Sequence, residues 1–515
     1  MTHCITPFAL AISAAMAAAA PEPRTDGTFP EWTTLAPIAT DPAADATGGF
    51  DVTFLYATNR DTRLFLHFDI TNTLNLQSGS PLDGGFEVLI GLPNGSTLSI
   101  DLRNRRNRLD GTTTYSWRTL DLLAQPTFAA PQVELSLDLS ALDIEAGDTI
   151  TIDFAGSDSL AQPAAYTMQQ RPDFTALRPH DRHPQTDIRI ASLNTLRTGL
   201  FNPSQAPGLS RLIDAFDADI YCFQEEYNSS AAQIAALLLQ IDPLEDGATW
   251  FVHKNNDNVI AAPRPVLPVP ASDGSYAAAV VPGPTGGVDG AVIVFSIHPK
   301  CCGHIGSSED SLRIAQMQLL IQTLGSFRSG ALGETLVPYA AVPVVVIGDW
   351  NLVGSRVPLD LLEFGAPDMR QVDCPNLADD SIATWRGTNT SSGSFPPGRL
   401  DLVCISNTSF TALRAFCVET AKLPSSILAI LGLEAGDSGR SDHLMLVTDL
   451  RLGPPECPGD LTTDFVVNLA DFAVLARNFG GGGGLTLDDG DITGDGYVGL
   501  PDFTELSGNF GADCR

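Results

Sequence analysis

Between residues 186 and 453 the sequence sets out six apolar runs that each meet polar residues at one end, and no other feature narrows the fold as much. "DIRIASLNT" runs into Asn194, "ADIYCFQEE" into Glu225, "AVIVFSIHP" into His298, and "VPVVVIGDWN" into Asp349 and Asn351. "GRLDLVCIS" carries Asp401, and "SDHLMLV" opens with Asp442 and His443. Runs of this kind bury as strands and leave their polar residues at a sheet rim. Helical stretches alternate with them, as in "GLSRLIDAFDA", where Leu209, Leu212, Ile213 and Phe216 share one face. The region reads as α/β or α+β, and Pro263 to Gly287, rich in Pro, Gly and Ala, is expected to be a surface loop over or beside the rim.

Carboxylates, amides and imidazoles gathered in one pocket suit cleavage of a phosphate ester. A hard cation, Mg²⁺ or Mn²⁺, prefers carboxylate oxygen and neutralises charge on the phosphate, and Glu225 and Asp442, with Asn194 as a neutral partner, fit that role. His443 is expected to take a proton from water while Asp401 fixes its tautomer. Asn351 is expected to donate to a phosphate oxygen, Asp349 to orient the water, and His298 to serve the departing oxygen. Glu226, beside Glu225, is read as a bystander, and His304 as a solvent-facing loop residue. The adjacent Cys301 and Cys302 are expected to bond to separate partners and pin the loop after His298.

In order and spacing, Leu193-Asn194, Gln224-Glu225, Gly348-Asp349-Trp350-Asn351, Arg399-Leu400-Asp401 and Ser441-Asp442-His443 resemble the motifs of the endonuclease/exonuclease/phosphatase superfamily. That resemblance, over residues 186–453, implies a DNase I-like four-layer α/β sandwich of two mixed sheets flanked by helices, and the roles just given. Trp350 departs from the usual small-to-medium apolar residue, and Arg356 and Arg399 receive no role.

Residues 24–175 read as an all-β sandwich, with short alternating segments at Asp51 to Tyr56, Leu64 to Ile70, Phe86 to Leu92, Thr97 to Leu102, Val133 to Leu139 and Thr149 to Phe154. The opening "DGTFPEWTTL" is faintly similar to carbohydrate-binding modules; a glycan could stack on Trp32, Tyr56, Tyr115 or Trp117, or these could be core. The run "RNRRNR", with Arg103, Arg105, Arg106 and Arg108, reads as a solvated hairpin edge. Residues 176–185 are polar and proline-bearing, a linker with His180 and His183 in solvent.

Two segments at the C-terminus, "GDLTTDFVVNLADFAVLARNFG" and "GDITGDGYVGLPDFTELSGNFG", repeat 31 residues apart. Each begins like a twelve-position calcium loop, with Asp460, Thr462, Asp464, Asn468 and Asp471 in the first and Asp491, Thr493, Asp495, Tyr497 and Asp502 in the second. The pair, residues 456–515, resembles a type I dockerin, a small α module; that implies Ca²⁺ and a cohesin-like partner. Gly496 meets the turn at the sixth position of the second loop, whereas the first has Phe465. Cys457 and Cys514 flank the unit and are expected to bond.

Residues 1–20 read as a signal peptide, an apolar, alanine-rich run lacking basic residues, so export to the exterior or cell surface is expected, with no membrane span beyond it. The net charge of −32 weighs against tight nonspecific binding of nucleic acid. The leading expectation is a secreted phosphodiesterase acting on nucleic acid. Alternatives are a phosphatase or sphingomyelinase-like phospholipase on other phosphate esters, or an adhesion or scaffold protein without catalysis.

Overall fold

The computed structural model describes residues 23–77, 85–102, 106–171, 177–244, 247–366, 368–379, 381–386, 395–453, 457–462, 465–481, 489–492 and 497–514. The expected signal peptide, Arg103, Arg105, Asp464, Thr493, Asp495 and Gly496 lie outside them.

Alternating apolar residues in the N-terminal region build strands with one face buried. In chain order these are β1 (Ala39–Thr40), β2 (Val52–Arg60), β3 (Arg63–Leu74), β4 (Phe86–Gly91), β5 (Thr97–Asp101), β6 (Arg106–Leu109), β7 (Thr113–Tyr115), β8 (Leu123–Gln125), β9 (Ala130–Asp138), β10 (Thr149–Gly156) and β11 (Ala164–Thr167). They form two antiparallel sheets, β1-β2-β3-β9-β8 and β11-β10-β4-β5-β6-β7, closed over one core around Phe68, Phe86 and Phe154. The arginine-rich run supplies β6, one strand in from the sheet edge, with Arg106 exposed. Trp32 and Trp117 are core residues rather than a stacking platform: Trp32 stacks on His67 and donates its indole N–H to Glu134 Oε1 at 2.8 Å.

The apolar runs of the central region become β12 (Ile188–Asn194), β13 (Ile220–Gln224), β14 (Phe251–Asn255), β15 (Asn258–Ala262), β16 (Leu267–Val269), β17 (Tyr276–Val281), β18 (Val292–Ile297), β19 (Val344–Asp349), β20 (Met369–Val372), β21 (Asp401–Ser406), β22 (Phe410–Val418) and β23 (Met445–Leu452). Two six-stranded sheets result, β14-β15-β13-β12-β23-β22 and β16-β17-β18-β19-β21-β20. Each holds one parallel pair, β12 with β13 and β18 with β19, joined by crossover helices α1 (Ala206–Phe216) and α3 (Ser308–Arg328). Strand periodicity sorts the side chains. Ile188 and Ile190 enter the core between the sheets, while Ala191 and Leu193 turn to the opposite face, against α1 and α2 (Ala231–Ile241). The outer face of the second sheet is covered by α3 and α4 (Val357–Gly365). The four layers are those expected.

The expected surface loop from Pro263 to Gly287 is interrupted by two strands, β16 and β17. In β17, Tyr276, Ala278 and Val280 face α3 while Ala277, Ala279 and Val281 face the other sheet, and all are fully buried. Alanine is a weak strand former, so burial on both faces decides the outcome here.

The sandwich docks on the central domain through buried hydrogen bonds. Thr127 donates its hydroxyl to Leu352 O at 2.7 Å, Asn75 Nδ2 donates to Val353 O at 2.9 Å, and Ala129 N donates to Gly354 O at 2.8 Å. Asp121 of the sandwich meets Arg63, Arg386 at 3.1 Å and Lys422 at 2.6 Å. Burial opposes its charge, but these three cations hold its carboxyl well below the usual range. The expected linker is itself docked: Asp181 pairs with Arg414, Arg182 with Asp219, and His183 N donates to Asp449 Oδ2 at 2.8 Å. His180 and His183 are part-buried.

At the C-terminus, helices α6 (Leu469–Asn478) and α7 (Leu500–Gly508), which follow α5 (Ser425–Leu431) in the chain, share a small core of Leu461, Val467, Leu475, Val498 and Leu506. A disulfide joins Cys457 and Cys514. Leu469, Phe472 and Phe479 are exposed, and so are their repeat mates Leu500, Phe503 and Phe510.

Candidate active site

The rim residues come together where the two sheets meet. At its centre is the buried Asp349, at the end of β19. His443 Nε2 lies 3.5 Å from Asp349 Oδ2, and His298 Nε2 lies 3.6 Å from the same oxygen. Each imidazole is held from behind by a carboxylate: His443 Nδ1 donates to Asp401 Oδ2 at 2.8 Å, and His298 Nδ1 to Asp257 Oδ2 at 2.6 Å. Asp257 was missed by the sequence reading. It sits in the tight β14–β15 turn "NNDN", where an aspartate is ordinarily a turn residue.

Burial alone would lower both imidazole pKa values, but the acids around them prevail. The hydrogen bond to Asp257 and the charges of Asp349, Asp257 and Glu225 hold His298 up at about 9. The charges of Asp401 and Asp349, the Asp401 hydrogen bond and Asp442 hold His443 up at about 10. Burial raises the Asp349 carboxyl, with His443 pulling it back. The surrounding acids thus favour the protonated form of both rings, and a divalent cation shared by those acids would weaken that hold.

Asn194 and Glu225 complete the cluster. Asn194 Nδ2 donates to Asp349 Oδ2 at 3.1 Å and to Glu225 Oε1 at 3.3 Å, while its Oδ1 accepts from Leu196 N. Asn194 thus turns its nitrogen toward the carboxylates, because the two acidic oxygens it meets require a donor. Glu225 adopts the left-handed backbone conformation, φ 64°, which aims its side chain at Asn194 and receives Arg197 N–H at 2.9 Å. Asp442 accepts the Trp385 indole N–H on Oδ2 at 3.3 Å. Its Oδ1 is buried without a hydrogen-bond partner among the described residues. Asp349, Asp401 and His443 bring one ligand atom each within 4.8 Å of one another, and that donor set together with the orphaned Asp442 oxygen, one residue before His443, fits a hard divalent cation. Asp349 and Glu225, bridged by the Asn194 amide, are the residues that would hold it, with Asp442 as the further carboxylate next to His443.

Asn351 commits one Nδ2 hydrogen to Pro299 O at 3.2 Å and its backbone N–H to Asp349 Oδ1 at 3.0 Å, which leaves one amide hydrogen for a ligand. The remaining motif residues are scaffolding. Gln224 Nε2 ties Ser192 and Ser296, and Arg399 binds Val372 O and Asp373. A Cβ on Gly348, φ 141°, would meet Ile297 O at 2.3 Å, so only glycine lets β18 and β19 approach there. Glu226 is buried under hydrogen bonds from Thr195, Leu200 and Ser229, the bystander expected. His304 is part-buried and precedes α3. Cys301 and Cys302 are both free, their sulfurs 2.8 Å apart; the loop is held instead by buried Arg313, which donates to the Lys300 and Cys302 carbonyls. Tyr227, 47% exposed at the rim, was also missed; burial and the Asp257 and Glu225 charges raise its phenol.

In the C-terminal repeats, the first loop is organised around Asp471, whose carboxylate accepts from Leu461 N, Thr462 N, Thr462 Oγ1 and Asn468 N. Thr462 therefore donates its hydroxyl inside the loop. Asn468, expected as a ligand, caps α6 by accepting from Ala470 N. Asp460 Oδ2 receives the N–H of Phe465, which takes the positive φ of 66° that glycine would adopt freely. Asp491 and Asp502 are buried, with Asp502 Oδ2 accepting from Gly499 N, and Tyr497 is exposed.

Residues 191–443 match the profile of the Endonuclease/Exonuclease/phosphatase family. Over that stretch the chain carries a domain of this family, and its two mixed sheets agree with the DNase I-like fold. The human Nocturnin catalytic domain is similar at 17% identity, covering 52% of this chain and 94% of that one, with a TM-score of 0.34. The beta toxin of Staphylococcus aureus is 14% identical over 51% of this chain and 99% of its own (TM-score 0.33), and the AP endonuclease LMAP of Leishmania major 11% over 54% and 93% (TM-score 0.35). No curated protein matches the chain.

Proposed function

We propose that the central domain is a divalent-metal-dependent phosphoesterase that hydrolyses phosphodiesters, nucleic acid being the first substrate to test, in a protein that is exported and carries a calcium-binding C-terminal module. The observation behind the reading is the convergence of two carboxylate-backed imidazoles, His298–Asp257 and His443–Asp401, on one oxygen of Asp349. A Mg²⁺ or Mn²⁺ ion bound by Glu225, Asp349 and Asp442 would act as a Lewis acid on the phosphate. The chain's own groups do the rest. His443, backed by Asp401, is placed to take the proton of the attacking water, and His298, backed by Asp257 and protonated, to give a proton to the departing oxygen. Asp349, between the two rings, is placed to orient the attacking water, and the free amide hydrogen of Asn351 to bind phosphate.

Hydrolysis of bis(p-nitrophenyl) phosphate and of plasmid DNA, with Mg²⁺ or Mn²⁺ and with EDTA, tests the reading. Metal-dependent turnover lost in His443→Ala is expected. Turnover of a phosphomonoester without cleavage of either diester would move the substrate class to small phosphates, and no turnover of any ester would leave a scaffold. The Cys457–Cys514 disulfide and the exposed residues repeated on α6 and α7 support export and a protein partner of cohesin type for the C-terminal module.

A further inference from the structure

We infer that the sandwich contains a Ca²⁺ site, built by Asp41, Asp45 and Asp158 with Asp51 beside them, that clamps the β1–β2 connection onto the β10–β11 connection. One carboxylate oxygen from each of Asp41, Asp45 and Asp158 lies within 4.8 Å of the others. Asp41 and Asp158 are each 8% exposed and Asp51 5%. Acids so close repel unless a cation joins them.

The hydrogen bonds within the cluster leave one oxygen of Asp41 and one of Asp51 over. Asp41 Oδ1 accepts from Ala161 N at 3.2 Å, yet Asp41 Oδ2 is buried with no partner. Asp51 Oδ2 accepts from Ala44 N and Thr71 Oγ1, yet Oδ1 is buried with none. Asp158 is oriented by Val52 N at 2.7 Å and by Ser159 N. After burial and one hydrogen bond, the strongest influences on Asp41 are the charges of Asp45, Asp158 and Asp51. Residues 36–53 and 156–170 contain no Lys, Arg or His, so neither segment supplies a counter-charge. An orphaned buried anionic oxygen is unfavourable unless something binds it, and here a cation is the matching ligand.

A second acidic cluster, Asp26, Glu31 and Glu134, shows the contrast. Both oxygens of Glu134 are occupied, by Trp32 Nε1, Asp26 N and Gly27 N, and burial pushes its carboxyl well above the usual range. That cluster is satisfied by the protein itself. The Asp41 cluster is not.

Calcium fits better than magnesium. The donors come from two irregular connections, and Ca²⁺ accepts six to eight oxygens in flexible geometry, whereas Mg²⁺ demands an octahedron and retains water. The connections are also in close contact. Thr47 N donates to Ser157 O at 2.8 Å, and a Cβ on Gly48 would come within 2.7 Å of Ser157 Oγ. The ion would tie one sheet of the sandwich to the other at that point.

Equilibrium dialysis of the full chain against radioactive calcium, with Mg²⁺ in excess, tests this. Wild type is expected to bind one more Ca²⁺ per chain than Asp158→Asn, and Asp45→Asn to weaken that site about tenfold. Asp45 is exposed, so its variant keeps the fold even if Asp158→Asn does not. Asp491→Asn, in the C-terminal repeats, reports separately on that module and should leave the sandwich site intact. Unchanged calcium stoichiometry and affinity in Asp45→Asn, or full displacement by Mg²⁺, would overturn the assignment.

Discussion

Thr127, in the sandwich, donates its hydroxyl at 2.7 Å to the carbonyl of Leu352, the residue after Asn351, and lies 3.3 Å from Arg399 O in the segment that leads to Asp401. One hydroxyl from the first domain thus touches both loops that frame the cluster around Asp349 in the second. Thr127→Val keeps the shape and removes the donor, leaving two buried carbonyls short of a partner, a loss of about 1–3 kcal/mol. Hydrolysis should fall roughly tenfold through kcat with metal affinity unchanged. Wild-type kinetics in the variant would show that the contact does not position the loops.

Asp257 sets the tautomer and charge of His298. Asp257→Asn should lower hydrolysis by about 10²-fold and return the His298 titration toward its ordinary value of about 6.5, so the alkaline limb of the pH–rate profile moves to lower pH. The profile over about pH 5 to 10 reads this out; a drop in rate at every pH without change of shape would indicate simple loss of structure.

The folded-state pKa values of His298 and His443, about 9 and about 10, lie above the unfolded imidazole value. Their stabilisation is fully present below about pH 6.5 and is lost as pH rises through those folded values. Without metal, the melting temperature should therefore fall between about pH 7 and pH 10, and His443→Gln should flatten that slope. Calorimetry in EDTA that shows no decline, or the same decline in the variant, would contradict it.

Asp121 has the opposite sign. Held below the usual carboxylate range by Lys422, Arg63 and Arg386, it stabilises the docked pair of domains above its unfolded value of about 3.9, and that contribution disappears as pH falls through the folded value. Asp121→Asn leaves three buried or half-buried cations short of a partner and should destabilise by about 3 kcal/mol. Limited proteolysis at neutral pH should cut between the domains sooner in the variant; an unchanged digestion pattern would mean that the hydrogen bonds around Thr127 suffice.

The rim of the central sheets was legible because each polar residue there lies at one end of an apolar run, as Asn194, Glu225 and Asp349 do at the close and His443 at the start. The side of each residue was less legible. Which atom of Asn194 faces the acids, and whether Asn468 binds or caps, depend on neighbours far away or on local hydrogen bonds that residue type alone does not choose. Asp257 and Thr127 were invisible because nothing in a polar turn or at a strand edge marks a residue recruited by another element. The Ala277–Ala279 strand was read as a loop because its driving force is burial between two layers, which only the assembled domain supplies.

The left-handed backbone of Glu225 carries a further implication. A residue with a side chain in that conformation is less stable than glycine by about 1 kcal/mol, so Glu225→Gly should give a protein that unfolds at a higher temperature and does no chemistry. Selection for thermal robustness alone would erase this glutamate, and its presence records a demand on the chain other than folding.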